Sequence, residues 1–432
     1  MKKLSYIFLL TVALCFAACG EDRTHEYEEL IAHNKWMFSV MRDNYLWGDL
    51  IQEQDDKTYF YTSTRFFSTL VSSTGQKDSW SYCLVDSAPS DPHARGHFNH
   101  LDTYGIDYVM ATDPTKATSR SMARVTYVAQ GSPAAQCGLQ RNAFISVVDD
   151  TRLTSSNASK YLESGESHSI VFHHIDTIEG GSYVWTDTVR TTLPASTLVV
   201  EDAFPVHSIF TVAGGKIGYL LCTRLMPYPD ECKQEGTEFQ EQLDHCMQNL
   251  LQHQPTDLVL DLRYCNYGTV EMAQRLASYL LPSIYQGTPF AQTIWNSSHA
   301  ANNTTYTYQS LSGTLDLSRV FIITSNYTQG AAEWLIQALK TTIGDANVIL
   351  IGQATKGQNV MTSYVASGYG HQLYPAVAYV ADGEGNYNYG SFSPATANTI
   401  TETNVNFIPY MKPLGDPEEL LFLAALEAIF NM

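Results

Sequence analysis

The sequence predicts an α/β chain of more than one domain, and three observations carry that prediction. Its 432 residues are 44% hydrophobic, enough to fill two or three separate cores. The second half alternates short apolar runs such as Val320-Phe321-Ile322-Ile323 with amphipathic helical stretches, the pattern of parallel strands joined by helices. Before it lie a helical start and a block of short strands punctuated by glycine. The formal charge is −19. Phosphate binding needs a basic footprint, so no nucleic-acid partner is expected.

In chain order, Lys2 and Lys3 precede an apolar run from Ile7 to Ala18 that is too short for a permanent membrane span. Phe16-Ala17-Ala18-Cys19 then sets small residues before a cysteine, which resembles a bacterial lipoprotein signal. On that reading residues 1–18 are removed and Cys19 becomes an acylated anchor, placing the protein in the cell envelope at the outer membrane, on its periplasmic or surface face. An ordinary secretory signal with an incidental Cys19 is the alternative. Gly20-Glu21-Asp22 resembles a surface-export signal. Beyond the leader remain Cys83, Cys137, Cys222, Cys232, Cys246 and Cys265. An even number in an exported chain permits disulfides, and buried free thiols fit equally.

Residues 19–99 read as a helical region. Tyr27, Leu30, Ile31, Trp36, Met37, Val40 and Met41 line one helix face, and Phe66, Phe67, Leu70 and Val71 line a second. His93, His97 and His100 lie close together without a carboxylate or cysteine at supporting spacing, so neither a metal nor another cofactor is expected.

Residues 100–196 form the glycine-punctuated β block and resemble a PDZ domain. Tyr104-Gly105-Ile106-Asp107 matches that domain's carboxylate-binding loop and the start of its strand, and Gly131-Ser132-Pro133-Ala134-Ala135 with Gly138-Leu139 matches its turn and small helix. The resemblance implies that a peptide adds as a strand and that loop N–H groups hold its terminal carboxylate. Arg120, Arg124 or Arg141 would supply positive potential. A small β domain without ligand is the other reading.

Residues 197–432 carry the α/β pattern. Lys216–Leu221 and Thr256–Tyr264 read as strands separated by a helix that shows Phe239, Leu243, Met247, Leu250 and Leu251 on one face. A helix from Met272 to Leu281 follows, then the Val320 strand, a turn at Thr324-Ser325-Asn326, a helix opened by Gly330-Ala331-Ala332, and a third buried strand ending at Gly352. A last helix is expected from Leu414 onward, with Asp416 as N-cap and Pro417 at its first position.

Three loops of this region resemble the C-terminal processing peptidases, also called tail-specific serine proteases, whose core is ClpP/crotonase-like and whose chemistry uses a Ser/Lys dyad. The family's Thr-Ala-Ser-Ala-Ser-Glu turn matches Thr328-Gln329-Gly330-Ala331-Ala332-Glu333, so Gly330 takes the nucleophile position. Its Thr-x-Gly-Lys segment matches Thr355-Lys356-Gly357-Gln358, so Gln358 takes the base position. Its Asp-Leu-Arg-x-Asn-x-Gly-Gly turn matches Asp261 to Gly268 with one glycine of the pair kept, and the resemblance implies oxyanion-type N–H groups at Gly268 and Ala331. The implied protein is a membrane-anchored homologue of these peptidases that has lost both reacting side chains and binds peptide or protein C-termini. The alternative is an active serine peptidase working through displaced residues, Ser325 or Thr328 with Lys356.

Overall fold

Residues 24–85, 102–117, 119–177, 182–212, 214–229 and 236–431 are described by the computed structural model. The leader, Cys19, the triplet after it, His93, His97, His100 and Cys232 lie outside them. Among the described residues no helix is long and apolar enough to cross a membrane. The chain divides into two units.

Apolar periodicity organises the first unit. Helix α1 (Thr24–Asn44) buries Met37 and Met41, and helix α2 (Ser63–Ser73) buries Phe66, Phe67 and Leu70. The sequence assigned 362–377 to the C-terminal core, yet this stretch joins the N-terminal helices. Its hairpin, Ala366–Gly368 with His371–Tyr374, pairs antiparallel with Tyr82–Val85, and the rings of Tyr82 and Tyr374 stack at 4.7 Å. Asn296 contributes to the same unit by donating its side-chain amide to the carbonyls of Asp43 (2.7 Å) and Tyr45 (2.9 Å) at and just past the end of α1.

The second unit holds the β block and the α/β core. In the β block an antiparallel sheet contains strands β1 (Ile106–Thr112), β2 (Ser121–Val128), β3 (Phe144–Val148), β4 (His168–His173) and β5 (Val189–Leu193), ordered β5-β4-β3-β2-β1. Strand β1 is therefore an edge of that sheet. The short helix Pro133–Gln136 is capped by Ser132, whose hydroxyl accepts from Ala135 N at 3.2 Å.

The core sheet runs β6 (Val206–Val212), β7 (Gly215–Leu221), β8 (Asp257–Asp261), β9 (Val320–Thr324) and β10 (Val348–Gly352). Strands β7 to β10 are parallel, and β6 is an antiparallel edge. Helix α3 (Glu238–His253) crosses from β7 to β8, α4 (Val270–Leu280) follows β8, and α5 (Ala331–Ile343) crosses from β9 to β10. The period-2 alternation of strands divides the core between two faces. Leu258, Leu260, Ile322 and Leu350 pack with the apolar sides of α3, α4 and α5, while Val259, Phe321, Ile323 and Ile351 pack with α6 (Leu420–Phe430). A helix layer thus covers each face of the sheet, as parallel strands require.

Helix α6 begins later than the sequence suggested. Asp416 caps a turn instead, accepting from Glu418 N at 2.9 Å, and Glu419 is the N-cap, its carboxylate accepting from Leu421 N (3.2 Å) and Phe422 N (3.1 Å). Glutamate serves here because it is already held from the other side by an arginine described below.

Candidate functional site

Register places the ends of three strands together. Asp261 pairs with Ile323 and Thr324 pairs with Gly352, so the loops that leave β8, β9 and β10 emerge at one edge of the sheet, where open α/β folds bind ligands. They are tied by short-range polar contacts. Gln329 N donates to Cys265 O (3.0 Å), Thr328 Oγ1 to Leu262 O (2.9 Å), and Lys356 N to Thr328 O (3.0 Å). Ser325 Oγ donates to Arg263 O.

Gly330 sits at the strand-to-helix turn with φ 60° and ψ −118°. Side-chain-bearing residues adopt that region only under strain, and nucleophile elbows are built on such a turn. Glu333, one turn into α5, holds the elbow from below. Its Oε2 accepts from Gly330 N (3.2 Å) and Gln358 N (2.7 Å), and its Oε1 from Gly357 N (2.5 Å). Burial raises the Glu333 carboxyl above its ordinary value, against the hydrogen bonds it accepts from Thr355 and from these three amides.

Gln358 faces the elbow. Its Nε2 donates to Val360 O (3.0 Å), Trp334 Nε1 donates to its carbonyl (3.1 Å), and a Cβ placed on Gly330 would lie 3.2 Å from its Oε1. The structure therefore brings the two positions into direct opposition. One has no side chain and the other ends in a neutral amide that takes up no proton.

The displaced candidates are engaged elsewhere. Besides donating to Arg263 O, Ser325 Oγ accepts from Tyr327 N (3.0 Å), and Thr328 Oγ1 accepts from Ser325 N (2.9 Å) while donating to Leu262 O. Lys356 is exposed. Gly268 lies against Leu225, whose carbonyl oxygen would be 2.5 Å from any Cβ there, so only glycine fits. The ring of Tyr267 next to it faces the Arg224 guanidinium at 5.4 Å. Ala331 opens α5 as its first residue and is fully buried. Among the described residues no group of three metal-binding side chains gathers here or elsewhere.

In the β block, Gly105 has φ 73° and would collide with Ser132 at 2.2 Å if it carried a Cβ, so the loop needs this glycine. Tyr104 and Ile106 turn into the local core, and the Tyr104 hydroxyl meets Ser164 Oγ at 3.1 Å. Asp107 is buried at the start of β1. Two of the three expected arginines have buried side chains bonded within the protein. Arg124 donates to Asn142 Oδ1 (3.0 Å) and Thr403 O (3.2 Å). Arg141 reaches Glu402 (2.7 Å), Glu419 (3.1 Å) and the Tyr264 hydroxyl (2.8 Å).

Those contacts belong to a buried network. Arg263 Nη1 donates to Glu402 Oε2 (2.8 Å) and Glu419 Oε1 (2.8 Å), its Nη2 to Glu419 Oε2 (2.9 Å), and its Nε to Asp261 Oδ1 (3.0 Å). Tyr219 donates to Asp261 Oδ2 at 2.7 Å, and Tyr264 donates to Glu402 Oε1 at 3.0 Å. Three carboxylates, Asp261, Glu402 and Glu419, are thus held by two guanidinium groups, Arg141 and Arg263. The network fixes the loop after β8 against both the β block and the start of α6.

With this geometry in place, comparison with known proteins is direct. Residues 216–390 match the model of Peptidase family S41 and residues 32–82 that of the Peptidase S41 N-terminal domain. A crystal structure of an S41-family protein from Bacteroides fragilis is 25% identical, with a TM-score of 0.79 over 92% of this chain and 97% of that one. The photosystem II D1 C-terminal processing protease is 14% identical with a TM-score of 0.49, over 90% of this chain and 99% of that one. No curated protein matches. The fold and site define an α/β serine-peptidase scaffold. The chain belongs to peptidase family S41.

Proposed function

We propose that this protein is a non-catalytic S41 homologue that binds extended peptides or protein C-termini and is held at the outer membrane by a lipid on Cys19. The observation that carries the reading is the opposition of Gly330 and Gln358: the elbow is folded and nothing on it can attack or deprotonate. Losing a nucleophile or base from a serine protease costs on the order of a million-fold in turnover. The displaced pair has little support, since the hydroxyls of Ser325 and Thr328 are given to backbone carbonyls and Lys356 is exposed. Strand β1, with the Tyr104-Gly105 turn before it, offers a sheet edge to which a peptide adds.

A fluorophosphonate probe on the purified protein tests the catalytic half, and no labelling is expected. Labelling would refute it. Installing Gly330→Ser with Gln358→Lys should bring labelling and peptide cleavage. Calorimetry with a random C-terminal peptide library tests the binding half, and an absence of heat at high peptide concentration would sink it.

A further inference from the structure

Two thiols flank the candidate site without a role in it. Cys222 stands one residue beyond β7, and Cys265 lies in the loop after β8. Their sulfurs are 3.9 Å apart and both side chains are fully buried. Among the described cysteines they form the one pair in contact. Cys246 is buried next to His207 Nδ1 at 3.4 Å, and Cys83 and Cys137 are half-buried.

We propose that Cys222 and Cys265 are joined as a disulfide when the chain folds under oxidising conditions, pinning the loop that carries Gly268 to the end of β7. Bond formation needs the sulfurs to close to about 2.05 Å, a displacement that side-chain rotation and small loop adjustment supply. The backbones are already docked: Leu221 pairs with Asp261, and Cys222 N donates to Asp261 O at 2.9 Å. Because Cys265 O accepts from Gln329 N, the bond also steadies the turn leading to Gly330.

The chemistry is thiol–disulfide exchange with a small-molecule or protein disulfide as oxidant. One cysteine, as thiolate, attacks a sulfur of the oxidant and releases the first oxidant thiolate. The other cysteine, as thiolate, attacks the mixed disulfide and releases the second. The two thiol protons pass to the two released thiolates, so the oxidant gains two electrons and the cysteine pair loses two. Burial pushes the Cys222 thiol well above its ordinary range, which makes thiolate scarce in the closed core. Exchange therefore belongs to folding, before the core seals, and the finished bond is shielded from reductant.

The test refolds the full chain in a glutathione redox buffer and, in parallel, in excess dithiothreitol. Each product is alkylated under denaturing conditions and mapped by mass spectrometry. The oxidised product should yield a Cys222–Cys265 cross-linked peptide that resists a phosphine reductant until denaturant is added, and it should melt higher than the reduced product by about 5 °C. The Cys222→Ala/Cys265→Ala variant should lose that difference between buffers. Alkylation of both sulfurs after oxidative refolding would overturn the proposal, as would folded protein from the reduced arm alone. Neither result depends on peptide binding, so the test stands apart from the proposed function.

Discussion

Arg263 and Glu419 meet fork to fork in complete burial, with Nη1 to Oε1 at 2.8 Å and Nη2 to Oε2 at 2.9 Å. The pair joins the loop after β8 to the cap of α6 across the core. Paired guanidinium and carboxylate planes fix orientation as well as distance, which a lysine does not do.

Replacing Arg263 with methionine strands Asp261, Glu402 and Glu419 as buried carboxylates with Arg141 the one cation still paired among them. Breaking such a cluster costs about 3–5 kcal/mol. Urea unfolding of Arg263→Met should show that loss or an unfolded chain. Unchanged stability would mean that the network is not closed as described.

The same network sets an acid limit. Burial works against ionisation of Glu402, but Arg141 and Arg263 outweigh it and carry its carboxyl down to about 2. Glu419 is lowered in the same way by Arg263 and Arg141 against burial. A depressed folded pKa gives stability that is present above the unfolded value, about 4.5 for glutamate, and is lost as pH falls toward about 2. Melting temperature should therefore drop steeply across that window, and Glu402→Gln should flatten the drop. An acid slope identical in variant and parent would contradict the assignment.

How much of this was legible in the sequence follows from the range of each signal. The strands ending at Asp261, Thr324 and Gly352 and the helix after Gly330 show local apolar periodicity, and local patterns survive folding. The motif match put Gly330 and Gln358 at one site because loops leaving parallel strands must converge. Glu402 and Glu419 gave no such sign. Their partner Arg263 lies 139 and 156 residues away, and nothing in the spacing of charges marks so distant a pairing. Arg124 and Arg141 looked like ligand-binding surface cations for the same reason. The hairpin at 366–374 was read with the core because its partner strand, Tyr82–Val85, is equally remote.

Glu333 offers a prediction of the opposite sign to the arginine-bound acids. Its folded pKa is raised by burial, so its contribution to stability is full at low pH and diminishes as pH rises through the folded value. Glu333→Gln removes that titration but turns an amide donor toward amide donors, since both carboxylate oxygens accept from backbone N–H groups. At least one buried N–H then lacks a partner, at about 1–3 kcal/mol. The variant should be less stable than the parent near neutrality, and an equal melting temperature would count against the clamp.

The elbow itself can be tested without any ligand. Gly330→Ala places a Cβ in a region of φ that costs about 1–3 kcal/mol, and within 3.2 Å of Gln358 Oε1. Two costs are then superimposed, one of backbone and one of contact. Gly330→Ala introduced into a Gln358→Ala background removes the contact and leaves the backbone cost. The alanine at 330 should thus remain destabilising in both backgrounds, and less so in the second. If it is neutral in the second, the turn relaxes freely, and a serine placed there in the revived double variant would not be held for attack.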